Sequence, residues 1–237
     1  MYLLIRTLSI LVLLSLGLSA SSTPRYTPLT LAHMAMGSGL TVHGTIVEVR
    51  AATFVLQVDS VIKGELAPAA RKSKRMEVAR FRNWACASRW TEYKAGQEVL
   101  LFLNANGVTG LSPEILSGGG EGEMPVLSVA DKDQETSKWV VLRGLEVHDL
   151  GTMLQLPEYS KERESSAVEL TPLIKELREF HACFHAKDLG PDGSRRQPFQ
   201  VTQLVPSERV EAFSKRSKVA RQLVDGARAL MAKPAKK

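Results

Sequence analysis

Cysteine is scarce, with two residues in a chain of 237. That excludes a disulfide-dense scaffold and a cysteine-rich zinc module. Aromatic residues are also few, at 6% of the chain. No Gly-x-Ser-x-Gly, no His-Glu-x-x-His and no phosphate-binding loop occurs. The triple glycine at 118–120 is not followed by Lys-Ser/Thr. Enzymes built on those motifs are excluded. A hydrolase whose residues meet only in space stays open, because triads are assembled by the fold. No cofactor motif is present, and none is expected.

Long apolar runs are missing except at the start. Leu8, Ile10 to Leu14, Leu16 and Leu18 follow a short stretch whose one charge is Arg6, and small residues come next at Ser19 to Ser22. This is the order of a secretory signal peptide, expected over residues 1–22 with cleavage after Ala20 or Ser22. The run is shorter than the roughly 20 residues that span a bilayer. The mature chain is therefore expected to be soluble in the periplasm or outside the cell, without a transmembrane segment. In such a compartment Cys86 and Cys183 suit one disulfide; two unrelated buried thiols are the alternative. A loop closure of about 100 residues is worth roughly 4 kcal/mol in the chain-entropy account.

Charge is unevenly placed. Residues 206–237 hold nine Lys or Arg against three acids, and the remainder is balanced. Nucleic acid is thus a poor partner for the body of the chain. The basic C-terminal segment can instead meet an anionic surface, in which case the chain is a structural envelope protein.

Residues 30–36 suit a short helix ended by Gly37 and Gly39. Strand patterning then runs from 40 to 142. Residues 41–50 and 53–62 read as a hairpin, and 75–84 as a third strand after a loop at 65–74. Val99 to Leu103 reads as a strand buried on both faces. Residues 124–129 and 139–142 are the last strand candidates. Short strands with turn signals between them suggest a barrel or sandwich. A charged linker spans 158–166. Helical periodicity appears at 172–186, with Thr171 as cap and Leu173, Leu177, Phe180 and Phe184 on one face. A second helix starts after Ser207, with Val210, Phe213, Ala220, Val224, Ala227 and Met231 in one stripe.

The order of Gly44 to Val49, Val61 to Gly64, Cys86, Gly96 to Leu103 and the Gly-rich 118–122 before Met124 and Val126 resembles the netrin-like module. That family includes the tissue inhibitors of metalloproteinases, and the likeness leans toward bacterial exported relatives. The resemblance implies an OB-like five-stranded antiparallel barrel with flanking helices, a mixed β+α fold. The expected parts are a barrel at 23–145, a linker and packing helix at 146–205, and a basic helix and tail at 206–237. Metalloproteinase inhibition does not carry over, because the mature chain would start near Ser21 or Thr23 and not at a Cys.

The segment 80–94 interleaves bases and aromatics. Arg82, Trp84, Arg89, Trp90 and Tyr93 are the candidate contact residues for a protein or cell-envelope partner. His181 and His185 share a face of the expected helix and are the only candidate metal pair, but Cys183 points elsewhere and no third ligand is supplied. The expected function is an exported, non-catalytic binding module.

Overall fold

The computed structural model describes residues 29–82, 89–104, 115–116, 122–130, 136–143, 145, 147, 150–155, 164–188 and 199–232. In chain order they form α1 (Leu31–Gly37), β1 (Leu40–Val49), β2 (Thr53–Lys63), α2 (Pro68–Ser73), β3 (Arg75–Ala79), β4 (Glu98–Asn104), β5 (Ile115–Leu116) and β6 (Glu123–Ala130). There follow β7 (Thr136–Val141), β8 (Thr152–Gln155), β9 (Glu164–Glu169), α3 (Leu170–Cys183), β10 (Phe184–Asp188), β11 (Phe199–Gln203), α4 (Ser207–Ser214) and α5 (Lys218–Ala232).

The fold is mixed β+α. One antiparallel sheet runs β3-β2-β1-β4-β6-β7-β9-β8, with β5 laddered onto β4, and β10–β11 make a separate hairpin. This corrects the closed five-stranded barrel. β5 comes beside β3, with Cα atoms within 8 Å, but no ladder joins the two among the described residues. The reason lies at β4. Its Glu98 to Leu101 pair with β6, leaving only Leu103 and Asn104 for β5. The sheet therefore continues outward through β7, β9 and β8 and does not seal. The third strand also ends at Ala79, five residues short of the expected limit.

The alternation of side chains along β1 and β4 divides the interior in two. Leu100, Phe102, Met124, Val126, Val140 and Val168 face the helices, where Leu173, Leu177, Phe180, Phe213, Leu223 and Val224 complete one core. Val42, Ile46, Val99, Leu101 and Leu103 face the other way and enclose Phe54, Leu56, Val78 and Tyr93. Val99 to Leu103 is thus buried on both sides, as its unbroken apolar run suggests.

The local chemistry explains the helix ends. Thr30 caps α1 by accepting from the His33 amide at 3.1 Å. At its other end Lys63 Nζ donates to the carbonyls of Ala35 (2.8 Å), Met36 (3.0 Å) and Ser38, satisfying acceptors the helix leaves open. α3 starts at Leu170 without a side-chain cap and ends at Cys183, three residues before the expected limit. The basic C-terminal segment is two helices, not one. Ser217 restarts the second by accepting from the Ala220 amide at 2.9 Å. Its stripe of Val219, Ala220, Leu223, Val224, Ala227 and Leu230 is buried in the core, while Met231 is exposed. Among the described residues no helix is long and apolar enough to cross a membrane.

α1 and α5 cross closely at Gly226. A Cβ there would stand 2.5 Å from Ala32 Cβ. Gly226→Ala should therefore destabilise by about 1–2 kcal/mol in urea unfolding, although Ala is the better helix former. A gain in stability would show that the two helices do not pack this tightly.

Candidate functional site

Glu123 opens β6 opposite Leu101, so its side chain enters the core that holds Tyr93. It is 1% exposed. A carboxylate there needs a cation and hydrogen-bond donors. Arg89 supplies both. Its Nε lies 2.9 and 3.0 Å from the two carboxylate oxygens, and its NH2 group reaches Oε1. The remaining guanidinium donors go to the Thr91 carbonyl at 2.7 Å and Gln97 Oε1 at 2.9 Å. The Tyr93 hydroxyl donates to Glu123 Oε2 at 3.1 Å and accepts from the Phe81 amide at 2.9 Å. Trp90 Nε1 approaches Oε1 at 3.4 Å.

The guanidinium also stacks on rings, 3.7 Å from the Tyr93 centroid and 4.8 Å from that of Trp90. Burial first, then the Glu123 charge, drive the Tyr93 hydroxyl pKa well above its ordinary value, so it stays a neutral donor. Gln97 ties the loop back on itself by donating to the Glu92 carbonyl at 2.9 Å and accepting from the Lys94 amide at 3.1 Å.

The candidate contact residues therefore separate. Arg89 and Tyr93 are interior, held in the Glu123 network. Arg82 is exposed. Trp84 and Cys86 lie outside the described residues. Trp90 is half-buried against Val141 and Ala167, together with Leu127, Trp139 and Leu154. These six form a third apolar group. Val140 points to the core of α1, α3, α4 and α5 and Val141, the next residue along β7, points away, so the group lies on the face opposite those helices. Trp139 also lines a cleft of about 410 Å³ with Leu150, Pro172, Leu173, Glu176 and Val219, between the end of β9 and the starts of α3 and α5. Burial raises the Glu176 carboxyl pKa, against a hydrogen bond from Ser217.

The histidine pair does not form a ligand set. α3 ends before His185, which stands exposed in β10 opposite Thr202. Both ring nitrogens of His181 are buried without a hydrogen-bond partner. Desolvation, and secondarily the Lys63 charge, pull its pKa down to about 3. Cys183 is buried beside Phe180 and Phe184 in the helix-side core, without a disulfide, and burial raises its thiol pKa. The expected partner of Cys183, Cys86, lies outside the described residues.

One polar cluster escaped the sequence reading altogether. His43, Asp59, Glu98 and Lys138 come together from β1, β2, β4 and β7. Comparison with family models, with curated proteins and with solved structures finds no match.

Two measurements probe the interior. Arg89→Met leaves the Glu123 charge buried and should cost about 3–5 kcal/mol in denaturant unfolding, most of it recovered in Arg89→Met with Glu123→Leu. A single-variant loss below about 1 kcal/mol would show that the carboxylate is solvated. His181 has its folded pKa depressed, so the unfolded chain binds its proton first as pH falls below about 6.5. Stability should drop between pH 7 and pH 4.5 by roughly 2 kcal/mol through this group alone. Comparing His181→Phe with the parent by urea unfolding at both values should show that slope reduced; an equal slope would contradict a buried neutral imidazole.

Proposed function

We propose that this protein is an exported, non-catalytic binding module that captures an extended apolar segment of a protein partner. The signal-peptide pattern of residues 1–22 supports export to the periplasm or cell exterior. The recognition surface in this reading is the strip made by Trp90, Leu127, Trp139 and Leu154. The observation that carries it is that two of the three tryptophans, both half-buried, pack against the same Val141–Ala167 pair of the sheet. Tryptophans with one side on a rigid core and the other open are common anchors of protein interfaces.

The choice of an extended segment rests on β8. It is the last strand of the sheet, with no second ladder partner among the described residues, and its Leu154 belongs to the strip. A chain added along that edge gains main-chain hydrogen bonds and sends alternate side chains onto the face that carries Leu154. The Trp139 cleft can seat one larger apolar group at the end of such a segment, with Glu176 near it. We also read the β3-β2-β1-β4-β5 portion as OB-like and netrin-like in order, supported by β5 curling back toward β3. The alternative of an envelope protein anchored by its C-terminal arm draws less support, since the apolar stripe of α5 is already buried in the core.

The test is partner capture. Processed protein immobilised from the export compartment should retain a partner that Trp90→Ala and Trp139→Ala lose by about tenfold or more, the usual scale for an interface anchor of 1.4 kcal/mol and above. Thermal melts of both variants establish that they remain folded. Undiminished recovery with both folded variants would remove the strip from the binding surface.

A further inference from the structure

We infer that His43, Asp59 and Glu98 form a site for one divalent transition-metal ion, at a place separate from the tryptophan strip. The three residues stand on β1, β2 and β4, three neighbouring strands of the sheet. His43 Nε2 lies 2.7 Å from Glu98 Oε1, and His43 Nδ1 lies 4.0 Å from Asp59 Oδ2. One ligand atom from each residue falls within 4.8 Å of the other two. Zinc bound at 2.0–2.2 Å would hold tetrahedral ligand atoms about 3.4 Å apart. One ion takes one ring nitrogen of His43, so binding must open the 2.7 Å His43–Glu98 contact, close the 4.0 Å His43–Asp59 gap and turn the ring or a carboxylate until all three ligand atoms face the same point.

A β-bulge builds the site. His43 pairs with Ser60 and Gly44 pairs with Val58, so Asp59 is the extra residue on β2. Bulges re-aim a side chain that regular alternation would send elsewhere. The Asp59 carboxylate is thereby brought to His43 across the strand pair. The environment is also graded. The His43 side chain is 8% exposed and Glu98 16%, whereas Asp59 is 48% exposed. The imidazole is thus held by the protein while the aspartate side stays open for ion entry and for bound water. One neutral nitrogen and two carboxylates suit zinc, manganese or cobalt(II). They do not suit calcium, which takes six to eight oxygens, or the thiolate-seeking ions.

Lys138 decides how the site behaves when no metal is bound. Its Nζ lies 2.8 Å from Glu98 Oε1, the same oxygen that faces His43. The ammonium is half-exposed and competes with any incoming cation for that carboxylate. Metal binding must displace it, so Lys138 weakens the site without being a ligand. This gives the proposal a signature that a purely structural ion-pair cluster would lack.

The experiment is zinc binding to chelator-treated processed protein, read by competition with a chromophoric chelator, with cobalt(II) visible absorption as a second probe. The expected result is one equivalent bound by the parent protein. Asp59→Asn, at a half-exposed side chain, should weaken binding by about tenfold or more. Lys138→Met should tighten it several-fold. Both variants should unfold like the parent in metal-free urea titrations. No stoichiometric binding by the parent, or an affinity unchanged in both folded variants, would overturn the site.

Discussion

A carboxylate at 1% exposure cannot stand alone, and Glu123 meets that condition through one cation, Arg89, with Tyr93 and Trp90 as further donors. Arg89 satisfies the charge, and its other donors hold the Thr91 carbonyl and Gln97. The pair therefore does more than neutralise a charge. It fixes the approach to β4 beneath the sheet, and Trp90 follows because it is the next residue. The tryptophan meets Val141 and Ala167 as a consequence of where its neighbour is bonded.

The rest of the molecule supports this arrangement from the other side. β4 is buried on both faces, so it forms a wall between two cores. Helices α1, α3, α4 and α5 fill one core and leave the outer part of the second face without a helical cover. Lys63 ties α1 to the end of β2, and Gly226 lets α5 lie against α1. A rigid helical layer behind the sheet is what makes a half-buried aromatic strip on its front a stable surface. Without that backing, exposed Trp and Leu would collapse inward.

Local pattern carried much of the fold. Alternation from Thr41 to Ile62 marked the hairpin, residues 30–36 marked the short helix α1, and the VLLFL run marked a strand buried on both faces. The failures share a cause. Sheet closure depends on how β4 divides its edge between β5 and β6, and no local period records that. Residues 158–166 read as a charged linker, yet β9 begins at Glu164 because its partners β7 and β8 lie elsewhere in the chain. The α3 boundary was misplaced because Phe184 continues the helical stripe while its backbone pairs with Gln203.

The site was legible only in outline. The segment from Arg80 to Lys94 stood out by composition, but its partner Glu123 is 34 residues from Arg89. One signal was available: an acid leading the apolar EMPVL stretch is a candidate for burial. The Asp59 bulge gave no signal, since bulges are set by pairing register. Trp139 joined Trp90 only through the sheet.

The most direct test of the central interaction is the arginine Nε–H region of a proton–nitrogen NMR spectrum of the folded protein at neutral pH. The account predicts a slowly exchanging Nε–H from Arg89, with cross-peaks to the rings of Tyr93 and Trp90. An Arg89 Nε–H that exchanges as fast as those of exposed arginines, without contact to either ring, would contradict it.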